Sequence, residues 1–330
     1  MNRTRPRRAA SPARQRGIAI VTVLLVVALA ATLAAGVVWR QQVSTHDVEN
    51  QRLSTQALWA ERAAVEWARA QLRQQSVKTN VTFAGQAWSE PVADVQLADL
   101  LPREALGVNA DLAKAYISGH VEDAQSRFNL MNLVSRPAVG QPYQANNDGI
   151  LAYRRLLDAL SLDPSLAKQT SDAMLRSLRR NGGPDGWPLQ LVTVDDLSRI
   201  PGYSAATIAA LAPYVTLLPD LTNVNVNTAA EPVLMAGIPT LTRSDAHRLT
   251  THRGSAYFVN TGELAAYLNP VQGSSQLPAG AMIGVDSGYF LVHCRIHSPR
   301  LNLRIDTLIA RFSAGQFTST SVVWVRRVTA

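Results

Sequence analysis

The sequence predicts an α+β protein: a long N-terminal helix packed on an antiparallel sheet, with a large helical domain inserted in the sheet domain. Three observations predict it. An apolar run occupies residues 18–38, and neither proline nor glycine occurs between Val37 and Ala84. Tyr116–Asp123, Gly288–His297, Leu301–Phe312 and Thr318–Arg327 are rich in β-branched and aromatic residues, as strands are. Between the first of these runs and the last three, the chain from about Asp148 to Pro270 is rich in leucine and alanine, with helix-start signals at Asp163-Pro164, Asp195-Asp196, Ser204 and Ser244.

A chain of 330 residues that is 47% hydrophobic and 17% charged buries a sizeable core. Its net charge of +8 suggests a polyanionic partner only until the arginines are located. Arg3, Arg5, Arg7, Arg8, Arg14 and Arg16 all precede Ile18, where no acid occurs. Without them 26 basic residues face 24 acidic ones, so the global charge is no evidence for nucleic-acid binding. Cys294 is the one cysteine, which excludes an intrachain disulfide and says nothing of the compartment.

Residues 18–38 contain Thr22 and Thr32 as their only hydroxylated members and, as a helix, span about 30 Å, the hydrocarbon thickness of a bilayer. The arginines before the run place the N-terminus in the cytoplasm and the chain after Arg40 on the far side, with Trp39 at the interface. A secretory signal peptide cut near Ala28-Leu29-Ala30 and a plain signal anchor are alternatives. The run exceeds the 7–15 residues usual for a signal peptide, and no turn former separates it from the chain beyond Arg40. Arg16-Gly17-Ile18-Ala19-Ile20-Val21 resembles the processing site of type IV prepilins. That resemblance implies a leader at residues 1–17, cleavage after Gly17 and N-methylation of Ile18. It also implies that the transmembrane helix, 18–38, is retained. Most such proteins carry glutamate at the fifth mature position, here Thr22, and in pilins that carboxylate pairs with a neighbouring subunit's terminal amine. The K-type minor pseudopilins of type II secretion typically lack it, which implies an assembly role for Thr22 at a tip.

Leu53, Ala57, Ala60, Ala64, Trp67 and Leu72 recur as one face of a helix, so the anchor is expected to continue as an amphipathic periplasmic helix over 39–76. The stretch Ala57–Ala68 is similar to the K-type sequence at this place. Residues 77–145 read as the first part of an α/β head, 146–270 as the helical insert and 271–330 as strands completing the head. Asp123 and Gln125-Ser126-Arg127-Phe128-Asn129-Leu130-Met131-Asn132 resemble a K-type motif, departing from it at Ser126, where glycine is usual.

Inside the insert a weak repeat sets Thr193–Leu197 before Ile200-Pro201-Gly202, and Asn260–Leu264 after Gly237-Ile238-Pro239. These are helix-hairpin-helix-like signals, and Asn223–Ala229 is similar to the opening of periplasmic DNA receptors. A membrane-anchored DNA receptor is therefore the alternative function. Phosphate binding by such hairpins needs glycine-bearing turns backed by basic residues, and neither turn keeps a Gly-x-Gly. The K-type family itself resembles this stretch, through the Pro-Gly turn, Leu211–Pro219 and the Asn-Val-Asn segment.

No set of residues reads as catalytic. His293 and His297 share a strand face but sit about 13 Å apart, too far for one ion, with Cys294 facing the other way. Asp245, His247 and His252 lack a nucleophile elbow. The family resemblance implies calcium at an acidic loop, yet residues 175–187 carry Arg176, Arg179 and Arg180. Asp185 is left as a weak metal candidate, short of the six or more oxygens calcium takes, so the site is expected to be weak or lost.

Taken whole, the resemblance implies a non-enzymatic minor pseudopilin that initiates and caps a short pseudopilus. Its partners would be I-, J- and H-type minor pseudopilins, the major pseudopilin and the prepilin peptidase, with no nucleic acid. It would lie in the bacterial inner membrane as a single-pass protein with a periplasmic head.

Overall fold

A computed structural model describes residues 16–100, 114–178, 189–269, 276–299, 301–314 and 317–328. The chain divides into two compact units, residues 1–58 and 59–330. The first is helical throughout its described part, which is the start of α1 (Arg16–Lys78). Within it, Ile20–Gln41 has a mean hydropathy of 2.7 and no part of it is buried inside the protein. A helix suits such a stretch because each backbone polar group inside it is bonded within the segment.

The second unit opens with the last turns of α1, where Ala60, Glu61, Val65, Ala68, Leu72 and Ser76 are buried. Trp67, expected on this face, is 44% exposed. Val65, Ala68 and Leu72 step by three and four residues, and Trp67 falls to the side of that line. They pack against Trp88, Val121, Phe290, Val292 and Ile309. Burying Leu72 completely contributes about 1.5–3 kcal/mol. On its flank, Arg69 and Arg73 donate to Thr320, at 2.6 Å to the carbonyl and 2.9 Å to the hydroxyl.

The sheet under α1 has five antiparallel strands among the described residues. With strands numbered in chain order, they are β1 (Val92–Gln96), β2 (Tyr116–Asp123), β9 (Tyr289–Ser298), β10 (Leu301–Ala314) and β11 (Phe317–Val328), arranged β1-β2-β9-β10-β11. Strands from before and after the insert meet as β2 and β9, with Val121 opposite Val292 and His120 opposite His293. One face, carrying Val121, Val292 and Cys294, turns inward. On the other face Tyr289, Leu308 and Ala310 are covered by Ala124 and Leu218, and beyond them stand His120, His293 and Asp306.

The insert is held by short strands and helices. β3 (Phe128–Asn129) pairs with β6 (Val215–Thr216), β4 (Val134–Ser135) with β5 (Gln144–Ala145), and β7 (Val224–Asn225) with β8 (Ile283–Gly284). Its helices are α3 (Asn147–Ala159), α4 (Leu166–Leu178), α5 (Ala205–Leu211), α6 (Glu231–Gly237), α7 (Arg243–Arg253) and α8 (Thr261–Leu268), after α2 (Leu97–Leu100) beside β1. Phe128, Leu133, Tyr153, Leu156, Leu211 and Phe258 are fully buried in its core. Ser204 caps α5 through the Thr207 amide at 3.1 Å. The cap of α7 is Thr242 rather than the expected Ser244, because Asp245 reaches back to Thr242 and closes a capping box. Gly149 lets α3 start against the Asn132 carbonyl, which a Cβ would meet at 1.8 Å.

Candidate functional site: an exposed apolar stretch and a buried polar joint

Two regions stand out from an ordinary globular arrangement. The first is the apolar stretch of α1, whose large side chains, including Leu24, Leu25, Val26 and Leu33, are all more than half exposed. From Ile20 to Trp39 it has no charged residue. Gly17 and Ile18 fall in the first turn of α1, and Thr22 comes in the second. Asp185 lies outside the described residues.

The second region joins the insert to the sheet. Asp123, at the end of β2, is buried and accepts from the Gln125 amide at 2.9 Å, Asn225 Nδ2 at 2.8 Å, Thr228 Oγ1 at 2.6 Å and Ser287 Oγ at 2.7 Å. Burial pushes its carboxyl above the usual range, and these four donors pull it partly back. Asn225 Nδ2 also reaches the Thr82 carbonyl at 3.0 Å and Ser287 Oγ at 3.0 Å. Arg311, on β10, donates to Thr82 Oγ1 at 2.9 Å and the Ser287 carbonyl at 2.7 Å. One buried cluster thus ties Thr82 in the segment after α1, two sheet strands and the insert together.

The motif after β2 belongs to the same joint. Gln125 Nε2 donates to the Asn223 carbonyl at 2.9 Å, and its Oε1 accepts from the Gly288 amide at 2.6 Å. Arg127 pairs with Glu122 at 2.6 Å. Asn129 donates to the Asp220 carbonyl at 2.7 Å and accepts from the Leu218 amide at 3.1 Å. Asn132 holds both backbone groups of Thr222, at 2.7 Å and 3.1 Å. The asparagines mimic a strand partner for residues 218–222, since a primary amide offers a donor and an acceptor side by side. Ser126, in place of the usual glycine, sits within a single 3-10 turn.

Asn225 and Asn227, from the stretch similar to DNA receptors, are buried. Asn227 exchanges two hydrogen bonds with the Phe258 backbone, at 3.0 Å and 2.9 Å. Their amides are spent inside the protein. Asp245 is committed to capping α7 and to Arg248, and His247 to Glu231 at 2.8 Å. His293 faces His120 and Asp306 across neighbouring strands, while His297 stacks on Tyr116. Hydrogen bonds to Asp306 and Glu122 raise the His293 imidazole to about 9. Among the described residues no three histidine, cysteine or acidic side chains converge as a metal ion would require.

A helix with a bilayer-length apolar stretch that is compatible with a membrane anchor, followed in the chain by an α+β head with a helical insert, defines a pilin-like subunit. Models of type II secretion system protein K match residues 126–220, for its first part, and residues 224–286. The chain belongs to that family, the K-type minor pseudopilins of type II secretion. It is 28% identical over 277 residues to the type II secretion system protein K of Pseudomonas aeruginosa, covering 77% of each chain. It is 26% identical over 313 residues to that of Pectobacterium carotovorum subsp. carotovorum, covering 86% of this chain and 88% of the relative. The fold is that of a chain in the crystal structure of the GspK-GspI-GspJ complex from the enterotoxigenic Escherichia coli type 2 secretion system. The TM-score is 0.60 at 20% identity, over 85% of this chain and 98% of the other. The family is a structural component of secretion rather than a known enzyme.

Proposed function

We propose that this minor pseudopilin initiates and caps a short periplasmic pseudopilus. The observation that supports this most is the exposed apolar stretch Ile20–Gln41, on the same helix that enters the head. A leader ending at Gly17 is cut, Ile18 becomes the N-methylated mature terminus, and the helix remains in the inner membrane with the head in the periplasm. Thr22 offers no carboxylate to a preceding subunit, so the chain starts a filament and others extend it from below. The insert, with its own large core, is too bulky to repeat along a filament.

By analogy with the complex named for GspK, GspI and GspJ, its partners are the I- and J-type minor pseudopilins. The H-type and major pseudopilins join after them, with the prepilin peptidase acting at Gly17. Calcium has no tight role, since the loop that would hold it carries arginines. The DNA-receptor alternative loses support from the internal use of Asn225 and Asn227.

Co-purification of the full-length chain with the other minor pseudopilins from detergent-solubilised membranes tests this reading. We expect a stable complex, together with loss of secretion on deletion. A monomer whose deletion leaves secretion normal contradicts the reading. Saturable, salt-sensitive DNA binding in a gel shift would establish the alternative.

A further inference from the structure

Apart from the anchor and the joint, the sheet ends in an open edge. β11 is the last strand of the order β1-β2-β9-β10-β11 and pairs with β10 alone among the described residues. Arg69, reaching across from α1, takes the Thr320 carbonyl at 2.6 Å. From Ser321 to Val328 the outward backbone groups have no partner among the described residues, and Val322, Val323, Val325 and Val328 are exposed. An open edge of this kind is a template for a further strand. Val323 is a bulge without a counterpart on β10, so the regular part of the edge is Trp324 to Val328, paired with Leu308 to Arg304.

Two features beside this edge select the strand that fits it. Trp324, opposite Leu308, lies on the side of the sheet that the insert covers. With Met131, Tyr143, Met174, Leu217 and Leu218 it lines a cavity of about 390 Å³ between β11 and the insert. Such a size and lining suit a large apolar group. Arg326, two residues on, shares the face of Trp324. Its guanidinium lies 4.9 Å from the centre of the Trp324 ring. Asp306, across from it on β10, is committed to His293 at 2.7 Å, which leaves Arg326 without an ion pair among the described residues. Arg327 adds a second positive charge on the opposite face, and β11 contains no acid.

We propose that Trp324 to Val328 is an edge for strand addition by an extended segment of another polypeptide, with an acidic residue facing Arg326 and a large apolar side chain entering the cavity beside Trp324. Backbone hydrogen bonds along the edge hold such a segment, while the cavity and the arginine choose it. An antiparallel approach, the mode of every pairing in this sheet, puts the acid two residues before the apolar side chain. A second copy of β11 does not fit. Antiparallel pairing over the same five residues sets Arg326 against its own counterpart, and parallel pairing does so for both arginines.

The test uses the full chain in detergent and a fluorescein-labelled peptide, Thr-Glu-Glu-Thr-Phe-Thr, followed by fluorescence anisotropy. Saturable binding is expected. Only every second amide of an added strand faces β11, so of two peptides methylated at alternate sets of backbone nitrogens, one should lose binding with its charge intact. Arg326→Glu should weaken binding about tenfold or more, and a peptide with lysine for its second glutamate should restore binding to that variant. Arg154→Glu, exposed on α3 of the insert, makes the same charge change elsewhere and leaves binding as it was. Arg326 is exposed, so its variant is expected to melt as the parent does. No saturable binding, binding that survives in both methylated peptides, or a folded Arg326→Glu protein that binds as the parent does overturns the proposal.

Discussion

Between Ile20 and Trp39 the molecule places apolar side chains outside, and around Asn225 it places polar ones inside. Both reverse the usual arrangement of a soluble domain. The first is costly in water because of its apolar surface and suits a hydrocarbon medium, where a helix still satisfies its own backbone. The second is stable because its buried polar atoms find partners: Asp123 has four donors and Asn225 Nδ2 three acceptors. The lesson is one of opposite tolerances. The stretch accepts any apolar shape and rejects charge, whereas the joint depends on each donor and acceptor.

Substitutions that swap these environments should break the contrast. The largest effect is expected in the joint: Asp123→Ala leaves the Thr228, Ser287 and Asn225 donors without their carboxylate and should cost about 3–5 kcal/mol in urea unfolding. An unchanged midpoint would mean that the cluster fixes nothing. Leu25→Arg places a charge in the exposed stretch and should oppose insertion by about 3 kcal/mol, read as loss of the chain from the membrane fraction. Full membrane recovery would remove the case for a bilayer there.

Two smaller effects sharpen the comparison on α1. Leu72→Ala, in the part of the helix that meets the sheet, should cost about 2.5 kcal/mol in unfolding and leave membrane fractionation unchanged. Glu61, buried at the same interface beside Thr307 Oγ1 at 3.4 Å, is held above the usual carboxylate range by burial. A raised acid contributes stability that is fully present below its unfolded value and is lost as pH rises through its folded one. Glu61→Gln should therefore match the parent near pH 4 and be more stable than it at pH 7. Parallel curves across that window would show that Glu61 stays solvated.

Much of the fold was legible in the sequence because its signals are local. The long helix, Tyr116–Asp123 and the three C-terminal strands announce themselves by apolar runs, β-branched composition and turn residues. Periodicity misplaces Trp67 because alanines on either side of the buried line give the helix two competing stripes. Ser244 looks like a cap, yet Thr242 makes it, a shift of two residues settled by where the Asp245 side chain folds back. The joint was not legible, since Asp123 meets Asn225 and Ser287 across 102 and 164 residues of chain. No periodicity encodes such a meeting. The pairing of His120 with His293 was likewise hidden, because strand register across an insert decides it. Sequence spacing alone pairs His293 with His297.

The exposed stretch of α1 is read as a bilayer anchor that the mature protein keeps, and the mature N-terminus tests this most directly. Mass spectrometry of the chain purified from membranes should find N-methylated Ile18 as its first residue. A terminus beyond Ala30 would contradict the account, because the stretch would then be a discarded signal peptide rather than an anchor.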